Sequence, residues 1–296
     1  MGEQQTAPQT MEKIDFQELL EAGVHYGHLK RKWNPNIAPY IFDEKEGVHV
    51  IDLNKTSKKI EEATSVLKDM AKNGKKILFV ATKKQAKDIL EERIKPTNMP
   101  YVTERWPGGM LTNFATIRRA IRKMNNIDKR FSDGTYDNLS KRERLAFARE
   151  RDKLKKHLGS VAGLTRLPAA LFVVDINKEN IAVDEARKLN IPTFGIVDTN
   201  SDPSLVDYPI PANDDASESI KKVLDLVIQP IEEALQDREQ EKEQRKKEKA
   251  AAEKEEKEQE GSDSSSEEDK DEGEAAEKST SVESKKAESK SGTSEE

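Results

Sequence analysis

"ALFVVDINKENIAVDEARKLNIPTFGIVDT", residues 170–199, decides the fold. It opens and closes on nearly continuous apolar runs, "ALFVVDI" (170–176) and "PTFGIVDT" (192–199). A strand with one wet face alternates apolar and polar residues. A continuous run implies burial on both faces, which is the habit of a parallel sheet covered by helices. Between the runs, "ENIAVDEARKLN" (179–190) carries a helical pattern. Strand, helix and strand in so short a span make a βαβ unit, and βαβ units build open α/β sheets.

Upstream, "KILFVAT" (76–82) and "VHVIDL" (48–53) read as further strands of the same kind. A helix is predicted over residues 57–72, with Ile60, Ala63, Val66, Leu67 and Met70 on one face and Asn73-Gly74 as its stop. A second follows over 83–94, and "DDASESIKKVLDLVIQPIEEAL" (214–235) closes the core. Between Leu111 and Val161 the alternation breaks and only helix is found. Phe114, Ile117, Ile121 and Met124 form one narrow stripe, "DGTY" (133–136) is a turn, and Leu145, Phe147, Leu154 and Leu158 form a sparser second stripe. Two such arms joined by a turn predict an antiparallel, coiled-coil-like hairpin inserted in the α/β body.

Charge divides the chain. Residues 237–296 hold 13 Lys and Arg against 22 Asp and Glu, with no aromatic residue. That segment cannot bury enough apolar surface to offset the entropy of ordering and reads as disordered, with a solvated helix over roughly 237–260 as the alternative. The remaining residues carry 38 cations and 35 anions, so the formal −6 of the whole chain belongs to the tail. From Arg105 to Lys156 there are 15 Lys and Arg against 6 Asp and Glu. Such a one-signed block on a near-neutral body points to a nucleic-acid partner. The absence of cysteine excludes a disulfide framework and thiolate metal sites. No apolar stretch is long enough to span a bilayer. The polar start "MGEQQTAPQTMEK" has no signal-peptide core, and its formal fit to a myristoylation pattern is read as coincidence. A cytoplasmic protein is expected.

Three kinds of site compete. His25 and His28 lie three apart and could share a helical face for zinc, but Gly23 and Gly27 weaken a helix there and no third ligand is evident. Asp52, Asp175 and Asp198 each fall near the carboxyl end of a predicted strand, where open sheets bind ligands, and could hold magnesium for phosphoryl transfer. Aspartates are equally turn and cap residues. No nucleophile elbow, dinucleotide fingerprint or P-loop is present. The third reading is RNA. Both tryptophans sit beside cations, in "KRKW" and "RWPGG". Lys30, Arg31, Lys32, Arg105, Arg118, Arg119, Arg122 and Lys123 would contact phosphates, while His25, Tyr26, His28, Trp33 and Trp106 could stack or donate hydrogen bonds. This reading requires no cofactor and no catalytic residue.

"EAGVHYGHLKRKWNPNIAPYIF" (21–42), "RWPGGMLTNFATIRR" (105–119) and residues 170–216 together resemble the bacterial small-subunit ribosomal proteins of family two, from about Ile14 to Leu235. The resemblance implies a flavodoxin-like or Rossmann-like body with an inserted coiled-coil hairpin and no enzyme activity. It implies contact with small-subunit ribosomal RNA and neighbouring ribosomal proteins, and help in docking the mRNA-binding ribosomal protein one. It extends the RNA-side expectation to Asn34, Thr112 and Asn113, with His28, Lys30, Arg31, Lys32, Trp33, Arg105 and Trp106. Pro107 stands where the family would place a larger apolar residue. The expected division is a flexible start (1–13), an α/β body (14–104 and 162–236), a basic hairpin (105–161) and the acidic tail (237–296).

Overall fold

The computed structural model describes the backbone of residues 15–262 and the side chains up to 245. It forms two compact units, Met1–Glu243 and Gln244–Glu296. In the second, the described residues are helical.

The first unit is built on eight strands. β1 (Tyr26–Leu29), β2 (Ile41–Lys45) and β3 (Val48–Ile51) make a small antiparallel sheet in the order β1-β3-β2. β4 (Ile77–Val80), β5 (Tyr101–Val102), β6 (Ala170–Val174), β7 (Thr193–Val197) and β8 (Tyr208–Pro211) make a five-stranded sheet in the order β5-β4-β6-β7-β8. Every pairing in it is parallel. Counted within that sheet, this is the 2-1-3-4-5 order of flavodoxin-like folds. The βαβ unit of residues 170–199 is present in register, with Leu171 opposite Thr193 and Val174 opposite Ile196.

Helices fill the connections: α1 (Phe16–Glu21), α2 (Leu53–Lys72), α3 (Lys84–Ile94), α4 (Phe114–Ser132), α5 (Lys141–Leu158), α6 (Asn180–Lys188) and α7 (Ser217–Ser262). Side chains alternate across each strand, so the sheet has two dry faces. Ile77, Phe79, Phe172 and Phe194 pack with Leu67 of α2, Leu90 of α3 and Val227 of α7 on one face. Leu78, Val80, Leu171 and Val173 pack with Val183 of α6 and with Ile121 and Leu158 at the hairpin base on the other.

Three readings of the sequence change. Val48–Ile51 is not a strand of the parallel body; it pairs antiparallel with β1 and β2, and its burial alternates rather than staying complete. β5 and β8 were not foreseen, β5 because two residues give no pattern, and β8 because Pro209 and Pro211 disguise it. Proline suits β8, which lies at an edge of the sheet. Helix α7 runs to Ser262, so residues 237–260 take the helical alternative. The remainder of the acidic tail and residues 1–14 lie outside the described residues.

The hairpin is α4 and α5. Gly134, at a φ of 68°, makes the turn between them, and Ser140 and Glu143 cap α5 reciprocally. Ile121, Met124 and Ile127 are buried in the seam. Leu145, counted above in the second stripe, is 50 % exposed. Rings close the tip instead: Tyr136 stacks on Phe147 with centroids 4.9 Å apart, and Phe131 meets Tyr136 edge-on.

Candidate functional site

The expected RNA-side residues separate into three groups. The first is exposed charge. Lys30, Arg31 and Lys32 form a short 3-10 turn directly after β1 and all face solvent. Lys30 pairs with Glu44 at 2.8 Å. On the hairpin, Arg119, Arg122 and Lys123 are exposed, Arg118 is half-buried, and Arg105 is exposed before the first arm. Lys123 pairs with Glu150 across the hairpin. Arg119, Arg122, Lys123 and Arg130 line a shallow cavity of about 300 Å³ whose floor includes Tyr136 and Phe147. Guanidinium and ammonium groups gathered along one arm suit phosphate contacts.

The second group is structural. Trp106 is 6 % exposed, so it is no platform for a base. Its Nε1 donates to Glu185 at 3.2 Å. Glu185 also accepts from the backbone N–H of Gly109 (2.7 Å), Leu111 (2.9 Å) and Thr112 (3.0 Å), and from the Thr112 hydroxyl (3.1 Å). One buried carboxylate on α6 thus organises the whole "RWPGGMLTN" loop. Burial opposes its charge, but the backbone donors of Thr112, Leu111 and Gly109 and the Trp106 N–H hold its pKa below the ordinary range. Asn113 sits before α4 and accepts from the Thr116 hydroxyl. Asn34 caps the following 3-10 turn by accepting from the N–H of Asn36. Trp33 is exposed, at 36 %, although its ring lies 5.1 Å from that of His49.

The third group is the histidines, which part company. His25 precedes β1, and its ring lies 4.0 Å from that of Tyr26. Burial, with Lys45 nearby, lowers its pKa. Tyr26 is 56 % exposed and borders an open cavity of about 600 Å³ that Phe16, Leu20 and Phe42 line together with Asp43, Lys45 and Glu46. His28 lies on a strand, not a helix, and points away from His25's surroundings to the carboxyl edge of the parallel sheet. Gly27 permits this: a Cβ there would stand 2.5 Å from Thr199 Cγ2. The N–H of His28 donates to Thr199 Oγ1 at 2.7 Å.

At that edge the loops after four strands converge. His28 Nδ1 lies 3.1 Å from Asp198 Oδ2, and its Nε2 lies 3.3 Å from Asp215 Oδ2. Lys83, after β4, reaches Asp175 (3.3 Å), Asp214 (2.7 Å) and Asp215 (2.7 Å). Asp175 takes a left-handed backbone, φ 68°, while its Oδ1 accepts from the N–H groups of Asn177 and Lys178. Asp198 holds the N–H and hydroxyl of Thr199. The hydrogen bond to Asp198 raises the His28 pKa against the cost of burial. Burial, then the Asp198 and Asp175 carboxylates, push Asp214 up to about 7 against the pull of Lys83. Lys83 loses solvation by burial, yet its bonds to Asp214 and Asp215 hold it above the ordinary lysine value.

Asp175 and Asp198 therefore share one cluster at that edge, both near Asp214, without touching each other. Asp52 does not join them; it caps α2 by accepting from the N–H of Asn54. Lys83, Asp214, Asp215 and Glu185 were not singled out in the sequence. The one available signal was position, since Lys83, Asp214 and Asp215 follow strands and face the edge where such sheets gather polar groups. At the switch point between β4 and β6, Thr82 donates to Glu179 and Lys83 pairs with Asp175, so the crevice is filled by the protein's own side chains.

The fold and its polar groups define a class: a flavodoxin-like scaffold whose sheet edge is tied up internally and which carries an inserted basic helical hairpin. The profile of the ribosomal protein S2 family matches residues 19–234. Proteins named small ribosomal subunit protein uS2 are similar over most of their length. That of Flavobacterium johnsoniae is 64% identical over 76% of this chain and 89% of its own. Those of Phocaeicola vulgatus and Porphyromonas gingivalis are each 62% identical over 77% of this chain and 82% of theirs. The chain belongs to the ribosomal protein S2 family. It is a ribosomal protein of the small subunit and not an enzyme, so the phosphotransferase reading of Asp175 and Asp198 falls.

Proposed function

We propose that this protein is a structural component of the small ribosomal subunit, in the cytoplasm, that binds ribosomal RNA through the cations of the hairpin and of the turn after β1. The observation that carries the reading is the exposed set Arg119, Arg122, Lys123 and Arg130 on one helical arm. Each phosphate neutralised releases counterions, so binding is steep in salt. Shape enters because the hairpin is seated on the sheet through Ile121, Leu158 and Val161, which fixes where the charge is displayed. The apolar surface around Phe16, Leu20, Tyr26 and Phe42 suits a protein neighbour rather than RNA, and ribosomal protein one is the partner we assign to it. Among the described residues no helix is long and apolar enough to cross a membrane.

The test is RNA binding by the full chain across a salt series, with and without the double substitution Arg119→Glu and Arg122→Glu. The expected result is weaker binding and a log–log salt slope reduced by about 2, roughly one per lost phosphate contact. An unchanged slope would exclude the hairpin from the interface.

A further inference from the structure

We propose that a cavity at the amino edge of the parallel sheet is a second RNA-binding site, in which Lys76, with Arg238 beside it and Lys95 at the rim, holds a phosphate of the polynucleotide backbone. The inference rests on the RNA-binding reading above and adds a separate surface to it. The cavity has a volume of about 500 Å³. It lies where β4 and β5 begin and where the chain leaves α5 through the 3-10 turn Gly159–Val161. Lys76, Lys95 and Asn98 line it on one side, Tyr101 and Ser160 on the other. The Ser160 hydroxyl donates to the Tyr101 carbonyl and joins the turn to β5. Gly163 completes the lining, and a Cβ there would meet nothing within 4 Å, so its backbone stands open to a ligand.

Lys76 is held in place by a neutral group. Its Nζ donates to the Asn98 carbonyl at 2.8 Å. Burial lowers its pKa, and the charge that lowers it further is a second cation, Arg238. Arg238, on α7, lies flush against Gly74, which has a φ of 69° and no side chain; a Cβ there would overlap the guanidinium. The fold thus seats two like charges near each other and partly out of water. That arrangement costs free energy, and an anion between them offsets the cost. Lys95 adds a weaker third charge, since it already pairs with Glu91 at 3.1 Å. What adjoins the cavity identifies the anion. Lys153, Lys155 and Lys156 are exposed along the last turns of α5. Lys155 packs over Gly159 of the cavity wall, its Cγ 3.5 Å from where a Cβ would stand. The basic charge of the hairpin therefore continues along α5 to the cavity. A polynucleotide backbone can follow that line, whereas a small phosphate compound has no use for it.

The test is acetylation of lysine amines in the purified full chain, read residue by residue by mass spectrometry. It is run alone, with small-subunit ribosomal RNA, and with inorganic phosphate. RNA should protect Lys76 and Lys95, and inorganic phosphate should not. Lys76→Gln should lower the log–log salt slope of RNA binding by about 1, for related and unrelated sequences alike. Labelling of Lys76 that RNA leaves unchanged overturns the site, as does an unchanged slope in a folded K76Q. If Arg119→Glu with Arg122→Glu still lowers the slope, that failure belongs to this site alone, whereas a wild type that binds no RNA overturns the RNA reading with it. Equal protection by inorganic phosphate makes the cavity a small-anion site and also overturns the proposal. The labelling is read on the wild type, so it decides the matter even where K76Q folds poorly.

Discussion

Glu185 shows how much one side chain can determine. Its carboxylate accepts five hydrogen bonds from the loop that precedes the hairpin. Glu185→Ala strands those donors, and because hydrogen bonds to a charged group contribute about 1.5–3 kcal/mol each, we expect a loss of about 3 kcal/mol or more in urea denaturation. The acid limb follows from the lowered pKa. The stability Glu185 contributes is fully present above the ordinary value of 4.5 and is lost as pH falls through the lower folded value. Glu185→Gln should therefore flatten the fall in stability below about pH 4.5; an unchanged acid limb would contradict the geometry. Gly27 makes a second case. An added methyl would meet Thr199 Cγ2 at 2.5 Å and the His49 carbonyl at 3.0 Å. Gly27→Ala should cost about 1–3 kcal/mol, read as a lower denaturation midpoint. Neither role was legible in the sequence. Glu185 sits on a helix where an acid reads as solvated surface, and its partners lie more than seventy positions away. Trp106 resembled an RNA contact because Arg105 precedes it, whereas its N–H faces inward. His28 was grouped with Lys30 by adjacency, but β1 ends at Leu29 and Lys30 opens the 3-10 turn that follows, so the two side chains belong to different elements.

Elements were more legible where burial is total. β4, β6 and β7 are buried at every position, so their apolar runs stand out from the flanking helices. β3 is buried at alternate positions, and four residues are too few to tell that from a continuous run. The hairpin was found from its seam, although its tip depends on rings rather than on the leucine stripe. Tyr136 and Phe147 lie parallel at 4.9 Å, and Phe131 closes against Tyr136 under Arg151. Such pairs contribute about 0.5–1.5 kcal/mol beyond the area they bury. Phe147→Ala should thus speed amide exchange at the C-terminal end of α4 and the start of α5 while leaving β6 and β7 protected. Equal loosening of the sheet would show that hairpin and body are one cooperative unit, contrary to the separate packing of the tip.

For the whole molecule the arrangement is electrostatic. Cations gather on an inserted hairpin and one turn, the sheet edge consumes its own acids, and the surplus anions lie beyond residue 236. A tail of that sign should compete with RNA for the basic surface. Removing residues after Glu243 should tighten binding to unrelated RNA at low salt; equal affinity with and without the tail would sink this role. Membership in the ribosomal protein S2 family, together with exposed hairpin cations, makes one claim central: the chain is held on the small subunit chiefly by charge. The direct measurement is sedimentation of a cell lysate through sucrose at low and at high salt, followed by detection of this chain. It should travel with the small subunit at low salt and leave it at high salt. A chain found at the top of the gradient under both conditions would contradict the account.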